Sequence, residues 1–456
     1  MPVSLSRQIA FEVLRRVEAE GAYASDLLHT ELKASVKPTD AALATELTMG
    51  VLRWRRLLDF LLERALKKPV ERLDLPVALA LQLGAYQLRF LEKIPPRAAV
   101  NESVELVKMA RKTSAASLVN AVLRKIATQA HSPAEEFLPP DIVRAERLAI
   151  LHSHPTWMVE RWLSRLGESQ AVALLEANNR APRLSCAPND ASRREDVMRG
   201  LEQAGMRVVP GQLLKAAFAV SGGSPTRTEE FRRGLFSIQD EASQAIPLLL
   251  GVRPAERVLD LCAAPGGKTS ALVRAAGNTG FVVATDRHAH RLRATQMQFK
   301  RLGLGGPHLL ELDATQPLPF RGDFDRILVD APCTGTGTLA RHPEIRWRLR
   351  PEQLAQSREQ QSRMLTMALA RLAQGGRLVY STCSIEPEEN EGVIAEILNN
   401  LPSIRRLPSS EAARTLAPSV SPGTDSSTLF TPDGDFRTLP PAYHADGFFA
   451  ALLEKA

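Results

Sequence analysis

Residues 258–269, VLDLCAAPGGKT, constrain this chain more tightly than any other stretch. An apolar run, Val258-Leu259-Asp260-Leu261, breaks into small residues and then a lysine at which a helical pattern starts. That order predicts a strand, a tight turn and a helix N-terminus, which aims backbone N–H groups at a ligand. Pro265, Gly266 and Gly267 let the main chain bend sharply and put no side chain in the ligand's way. A nucleoside or phosphate ligand is therefore expected. A phosphate-cradling P-loop requires Gly, four residues, then Gly-Lys-Ser/Thr. Gly267-Lys268-Thr269 supplies the end of that pattern, but Cys262 stands where its first glycine belongs. Both readings stay open at this loop.

A chain of 456 residues calls for two or three domains, and 44% hydrophobic content is ample for their cores. The formal net charge of +7 suits a polyanionic partner, though solvated arginine faces give the same balance. Cys186, Cys262, Cys333 and Cys383 lie far apart and form no CxxC pair. That spacing excludes the usual structural zinc site and argues against a disulfide framework. The N-terminal MPVSLSRQIAFEVLRRVE is charged and amphipathic rather than a signal peptide. No uncharged stretch is long enough to span a bilayer, so a reduced, cytoplasmic protein with no membrane partner is expected.

Apolar residues recur at helical spacing from about residue 4 to 130, with Pro38, Pro69, Pro76 and Pro95-Pro96 as punctuation. This predicts an all-helical domain over 1–130. Arg53, Arg55, Arg56, Arg64, Lys67, Lys68 and Arg72 crowd one part of it, as a wet helix face or an RNA-contacting one. Residues 131–140 read as a linker. Residues 141–234 read as a small α+β accessory domain, with strands at 183–187, 206–209 and 216–220 and a helix at 193–204. From 235 to 456 strands and helices alternate, which signals a mostly parallel sheet covered on both faces. Strands are expected at 257–261, 281–285, 308–312, 326–329 and 377–381. The stretch 407–441 reads as a long surface loop, and 446–455 as a final strand at the sheet's edge.

Acids close two of these strands. Asp286 in VVATD can accept hydrogen bonds from ribose hydroxyls, or cap a helix. Asp313 in ELDA can meet an adenine amino group, or serve a turn. The fourth strand runs into Asp330-Ala331-Pro332-Cys333, where Asp330 would also suit a magnesium-holding acid of a P-loop enzyme. Cys333 has no role in that chemistry. The fifth strand ends in Tyr380-Ser381-Thr382-Cys383-Ser384. Neighbouring strands lie about 4.8 Å apart, so adjacency of these two would bring both thiols to one crevice.

In the N-terminal region, residues 50–62, 83–88, 95–108 and 118–126 resemble the NusB family, an RNA-binding helical fold; Asn101-Glu102 and Asn120 fall in the matching motifs. LCAAPGGKT (261–269), DAPCTGTG (330–337), RHPEIRW (341–347), YSTCS (380–384) and DGFF (446–449) resemble the bacterial RNA cytosine-5 methyltransferases. FSIQDEASQ (236–244) is similar to the opening of their catalytic domain. A NusB-like domain before such a catalytic half most closely resembles the branch acting on small-subunit ribosomal RNA, the RsmB type. The resemblance implies a class I Rossmann-like methyltransferase domain with a mostly parallel sheet, preceded by an all-α NusB-like and a small α+β domain. It implies S-adenosyl-L-methionine as cofactor, held by Cys262, Ala263, Ala264, Pro265, Gly266, Gly267 and Lys268 with Asp286 and Asp313. Asp330 would contact the cofactor or the pyrimidine edge. It implies Cys383 as the nucleophile and Cys333 as the residue assisting product release, acting on an unpaired or flipped cytosine of 16S ribosomal RNA. The chain departs from the family pattern at Leu312, where glycine is usual, and at Thr334, where serine is commoner.

The chemistry accounts for a thiol. Carbon 5 of cytosine is a poor nucleophile until something adds at carbon 6, and a thiolate does this well. Another RNA such as tRNA is an alternative substrate. A P-loop hydrolase is disfavoured by Cys262, and a DNA cytosine-5 methyltransferase by the second cysteine and the NusB-like region. A non-catalytic RNA-binding factor would not need the intact cysteine pair. Zinc-dependent base deamination is excluded, because HxE with PCxxC is missing. Nothing in the sequence calls for an obligate oligomer, and a monomer is expected.

Overall fold

Prolines set several helix borders in the first third of the chain. Pro38, Pro76 and Pro96 sit in the first turns of the helices Pro38–Leu66, Leu75–Phe90 and Pro96–Met109, where a missing N–H leaves no bond unmade. The structure, a computed structural model, describes residues 3–32 and 35–456. Helices Leu5–Glu20, Ala24–Glu31 and Ala116–Ala127 complete this bundle. Helix Leu75–Phe90 is mostly apolar, and residues Val77 to Leu88 are all buried, Gln82 and Gln87 included, as in a central core helix. Its Gly84 is required by packing: a Cβ there would lie 2.4 Å from Leu123 Cδ1 and 2.7 Å from Ser103 Oγ. Glu102 of the NusB-like motif has a structural task. Its carboxylate accepts from Ser4 N–H and O–H, at 2.8 and 2.6 Å, and pairs with Arg7 at 3.0 Å.

By contacts the chain divides into two units, Met1–Ala181 with Leu339–Arg348, and Pro182–Thr338 with Leu349–Ala456. Helices Arg144–Leu151 and Thr156–Asn179 therefore count with the first unit. The stretch expected as a linker contributes the buried side chains Ala134 and Leu138. No described helix is long and apolar enough to cross a membrane.

The second unit opens with a four-stranded antiparallel sheet of β1 (Leu184–Pro188), β2 (Arg207–Pro210), β3 (Phe218–Ser221) and β4 (Phe236–Ile238), in the order β2-β3-β1-β4. Helix Arg194–Gln203 covers it, and Cys186, Leu201, Phe218 and Phe236 make its core.

The larger sheet holds β5 (Arg257–Asp260), β6 (Phe281–Asp286), β7 (His308–Glu311), β8 (Phe324–Asp330), β9 (Leu372–Thr382), β10 (Ile404–Arg406), β11 (Phe436–Thr438) and β12 (Phe448–Lys455). Its order is β10-β12-β9-β8-β5-β6-β7, with β11 also on β12. The five strands from β9 to β7 are parallel, as the alternating pattern predicts. β5, β6, β8 and the second half of β9 are apolar runs because both faces are covered, whereas β7 ends the sheet and is largely exposed. Val258, Val282, Leu328 and Val379 face the core under helix Glu241–Leu250; Leu259, Val283, Ile327 and Leu378 face the core under helix Glu352–Leu369.

Two expectations need correction. The final strand is not at the edge: β12 lies between β9 and β10, antiparallel to both, and Phe449 to Leu453 are fully buried. Residues 407–441 are not a plain surface loop either. They form helix Ser409–Leu416 and β11, and bury Leu407, Ala412, Leu416, Leu429 and Phe436.

Candidate active site

The parallel register aligns the carboxyl ends of β5, β6, β8 and β9. Asp260 lies opposite Ala284 and Leu328, and Asp330 opposite Ser381. Loops leaving those ends therefore meet at one rim, the place where open α/β sheets bind ligands.

The loop after β5 is held from below. Ala263 N–H donates to Thr285 O at 2.8 Å, and Thr285 Oγ1 to Leu261 O at 2.8 Å. Thr269 Oγ1 donates to Asp260 Oδ2 at 2.7 Å. Gly266 has φ +97, a left-handed conformation that favours glycine, and a Cβ there would meet Thr295 Cγ2 at 2.8 Å. The helix Gly267–Ala276 then begins with no side-chain cap on its first amides. Its N-terminus offers unspent donors.

Acidic groups flank this terminus. Asp286 is buried; it accepts from His288 N–H at 3.0 Å and pairs with Arg291 at 3.2 Å, and Arg291 also donates to Ala264 O at 3.1 Å. Asp313 accepts from Thr315 N–H and O–H at 3.0 and 2.6 Å, which hold its carboxyl below the usual range. Leu312, the departure from the family pattern, donates its N–H to Asp286 O at 3.2 Å, so the two strand ends stay joined. Cys262 is pushed well up by removal from water, then by Asp260, Asp330 and Asp286, which suits a loop-lining thiol.

Lys268 does not reach out for a phosphate. Its ammonium pairs with Asp330 Oδ2 at 2.7 Å and lies 5.2 Å from the Phe448 ring centroid. Ser381 Oγ donates to Asp330 Oδ1 at 2.7 Å.

The thiols of Cys333 and Cys383 are 3.3 Å apart. Adjacent strand ends do bring them together. Gly337 N–H donates to Cys383 O at 2.9 Å, and Ala331 N–H to Ser381 O at 2.8 Å, stitching the two loops. The Cys333 thiol is held well above its ordinary value, first by its hydrogen bond to Cys383, then by burial, with Cys383 and Glu389 adding repulsion.

Sequence reasoning passed over Glu389, Asn390 and Gln361, which are all buried behind these loops. For Glu389 and Asn390 the signal was the run PEEN (387–390) shortly after the Thr-Cys motif, polar residues between a core strand and a helix; Gln361, inside helix Glu352–Leu369, gave none.

Residues 247–454 match the family described as 16S rRNA methyltransferase RsmB/F. Residues 4–128 match the NusB family, and 154–227 the ferredoxin-like domain of RsmF/B-like methyltransferases. The chain is 33% identical over 459 residues to the probable ribosomal RNA small subunit methyltransferase B of Synechocystis, covering 99% of each chain. This chain belongs to the RsmB/F family of rRNA methyltransferases. The Bacillus subtilis protein of the same description is also 33% identical, over 98% of both chains. Among solved structures, a methyltransferase homolog protein from Pyrococcus horikoshii is 30% identical, covers 70% of this chain and 100% of its own, and has a TM-score of 0.57. The family membership sets the P-loop hydrolase aside, as does the engagement of Lys268 by Asp330. As an RsmB/F-type chain it joins an all-α NusB domain, a small ferredoxin-like domain and a Rossmann-like catalytic domain.

The basic cluster of the NusB domain is mostly spoken for. Arg53 donates to Ala340 O, Arg55 pairs with Glu18, Arg56 with Glu146, and Arg64 donates to Phe137 O. Lys67, Lys68 and Arg72 are exposed.

Proposed function

We propose that the protein methylates carbon 5 of a cytosine in small-subunit ribosomal RNA, using S-adenosyl-L-methionine and a covalent cysteine adduct. The observation that carries this reading is the 3.3 Å approach of Cys333 and Cys383 at the strand ends beside the Gly-rich loop.

The residues at the loop fit the cofactor. The uncapped amides of Gly267 and Lys268 suit a carboxylate, and Asp286 suits ribose hydroxyls. Asp313, with a third of its side chain exposed, suits the adenine amino group. Cys262 to Pro265 wall the site. When bound, the cofactor supplies an electrophilic methyl group. Asp330, fixed between Lys268 and Ser381, is oriented toward the same rim and steadies the pyrimidine edge.

Cys383 attacks carbon 6 of the base, which makes carbon 5 electron-rich. After methylation the carbon 5 proton leaves, and the electron pair of that bond restores the ring as Cys383 is expelled. Cys333, next to the expelled sulfur, assists that release. The target cytosine is taken out of its stack to reach both sulfurs. Unpaired thiols at all four cysteines fit a reducing cytoplasm.

The test is methyl transfer from tritiated S-adenosylmethionine to small-subunit ribosomal RNA. Cys383→Ala is expected to lose at least about a thousandfold in rate, the scale on which removal of a covalent nucleophile is felt. Cys333→Ala is expected to accumulate an enzyme–RNA adduct that survives a denaturing gel. Normal turnover by Cys383→Ala, or an adduct formed by it, would overturn the assignment.

A further inference from the structure

Both cysteines rest on two consecutive residues, Glu389 and Asn390, at the far end of the loop that carries Cys383 from β9 to helix Glu391–Asn400. Glu389 is fully buried and takes part in three hydrogen bonds from donors of the Cys333 side. Its Oε1 accepts from Thr334 N–H at 2.8 Å and from Gln361 Nε2 at 3.1 Å, and its Oε2 accepts from Thr334 Oγ1. Gln361 Nε2 also donates to Pro332 O at 3.0 Å. The residues on both sides of Cys333 are thus tied to one carboxylate.

Asn390 does the same for Cys383. It stands at the N-cap of helix Glu391–Asn400, where an asparagine side chain ordinarily accepts from the helix's own amides. Here it caps nothing in that helix. Its Oδ1 accepts from Thr382 Oγ1 at 2.5 Å, and its Nδ2 donates to Ser384 O at 2.9 Å. Thr382 and Ser384 bracket Cys383. Tyr380, on the same strand, donates its hydroxyl to Glu389 O at 2.6 Å, which locks the pair against β9.

Burying a carboxylate costs several kcal/mol unless its donors hold it well. An ordinary loop would not need one. We propose that Glu389 and Asn390 are positioning residues that set the two thiols at working separation, Glu389 through the Cys333 loop and Asn390 through the Cys383 turn. This rests on the cysteine roles proposed above, and it divides the work: Glu389 governs release and Asn390 governs attack. Neither touches the base.

The full-length protein with small-subunit ribosomal RNA provides the test, with adduct on denaturing gels and methyl turnover as readouts. Cys333→Ala is the reference, and absence of its adduct would overturn the cysteine assignment itself. With that adduct present, Glu389→Ala in the otherwise native protein is expected to accumulate adduct as Cys333→Ala does, with the KM for S-adenosylmethionine unchanged within twofold. Asn390→Ala placed in the Cys333→Ala background is expected to slow adduct formation about a hundredfold, the effect of misplacing a reacting group by about an ångström. Glu389→Gln and Asn390→Asp each keep an acceptor toward Thr334 or Thr382, and are expected to recover part of the native behaviour. Should Glu389→Ala or Asn390→Ala match its parent, the positioning role is wrong. Equal loss of adduct and turnover in all four variants, with lowered melting temperatures, would leave only a folding role and also overturn it.

Discussion

Asp260 shows how a single residue can serve a site while burdening the fold. It ends β5 beneath the Gly-rich loop and is fully buried; it accepts from the hydroxyl of Thr269 and from the backbone N–H of Cys262. Burial, more than the nearby charge of Asp330, pushes its carboxyl up from 3.8 to about 7. The folded state therefore holds a proton that the unfolded chain releases at lower pH. Stability falls as pH rises through the window from 3.8 to about 7, and is level above it. Asparagine keeps the acceptor for Thr269 and does not titrate. Asp260→Asn is expected to melt higher than the native protein above about pH 8, by on the order of a few kcal/mol in stability, with the advantage gone near pH 4. Calorimetry at both pH values decides it; an advantage independent of pH would show that Asp260 is not the group titrating.

Elements explain what the sequence reveals and what it hides. Four of the parallel strands are legible because each contains a local apolar run, and Asp260, Asp286 and Asp330 mark where three of them stop. The place of β12 is not legible, since its antiparallel pairing with β9 joins residues such as Leu453 and Leu378, far apart in sequence. Helix Ser409–Leu416 hid in a Pro- and Ser-rich stretch because its buried stripe, Ala412, Ala413 and Leu416, is made largely of small side chains. The two cysteines could be read from their motifs, whereas Glu389 depends on Thr334 and Gln361, neighbours that only the fold supplies. A glycine makes the same point beside the paired ends of β9 and β12. A Cβ on Gly337 would lie 2.1 Å from Gly447 O and 2.8 Å from Cys383 O, both backbone atoms that cannot step aside. Gly337→Ala is therefore expected to displace the Cys383 turn, lowering kcat about a hundredfold while the KM for S-adenosylmethionine stays near native. Steady-state kinetics with an unchanged kcat would show that the turn tolerates the methyl group.

At the scale of the whole chain, the segment Leu339–Arg348 stands out because it follows the Cys333 loop in sequence yet counts with the helical unit. Arg346 is fully buried there. Its guanidinium donates to Ser153 O at 2.9 Å, Asn178 O at 3.1 Å, Arg53 O at 3.3 Å and Asn179 Oδ1 at 2.8 Å. Burial, then the charge of Arg53, brings its pKa down to about 9, so it still carries its charge at neutral pH. Around it, Trp347 Nε1 donates to Leu52 O, Arg348 to Val17, Gly21 and Ala22 carbonyls, and Glu344 accepts from Ala24 N–H. These acceptors include the ends of helices Leu5–Glu20 and Thr156–Asn179, whose last carbonyls have no partner within their own helix. The segment thus completes the helical unit, although its sequence reads as part of the methyltransferase half. Removing Arg346 leaves buried carbonyls unsatisfied, at about 1–3 kcal/mol each. Arg346→Ala is expected to lower hydrogen-exchange protection in helices Leu5–Glu20, Pro38–Leu66 and Thr156–Asn179, and to leave β5, β6 and β8 near their native protection. Arg346→Lys should recover little, because a point charge cannot serve several acceptors spread around a planar fork. Native protection of those helices in Arg346→Ala, or recovery in full by lysine, would show that the segment only rests on the unit it is counted with.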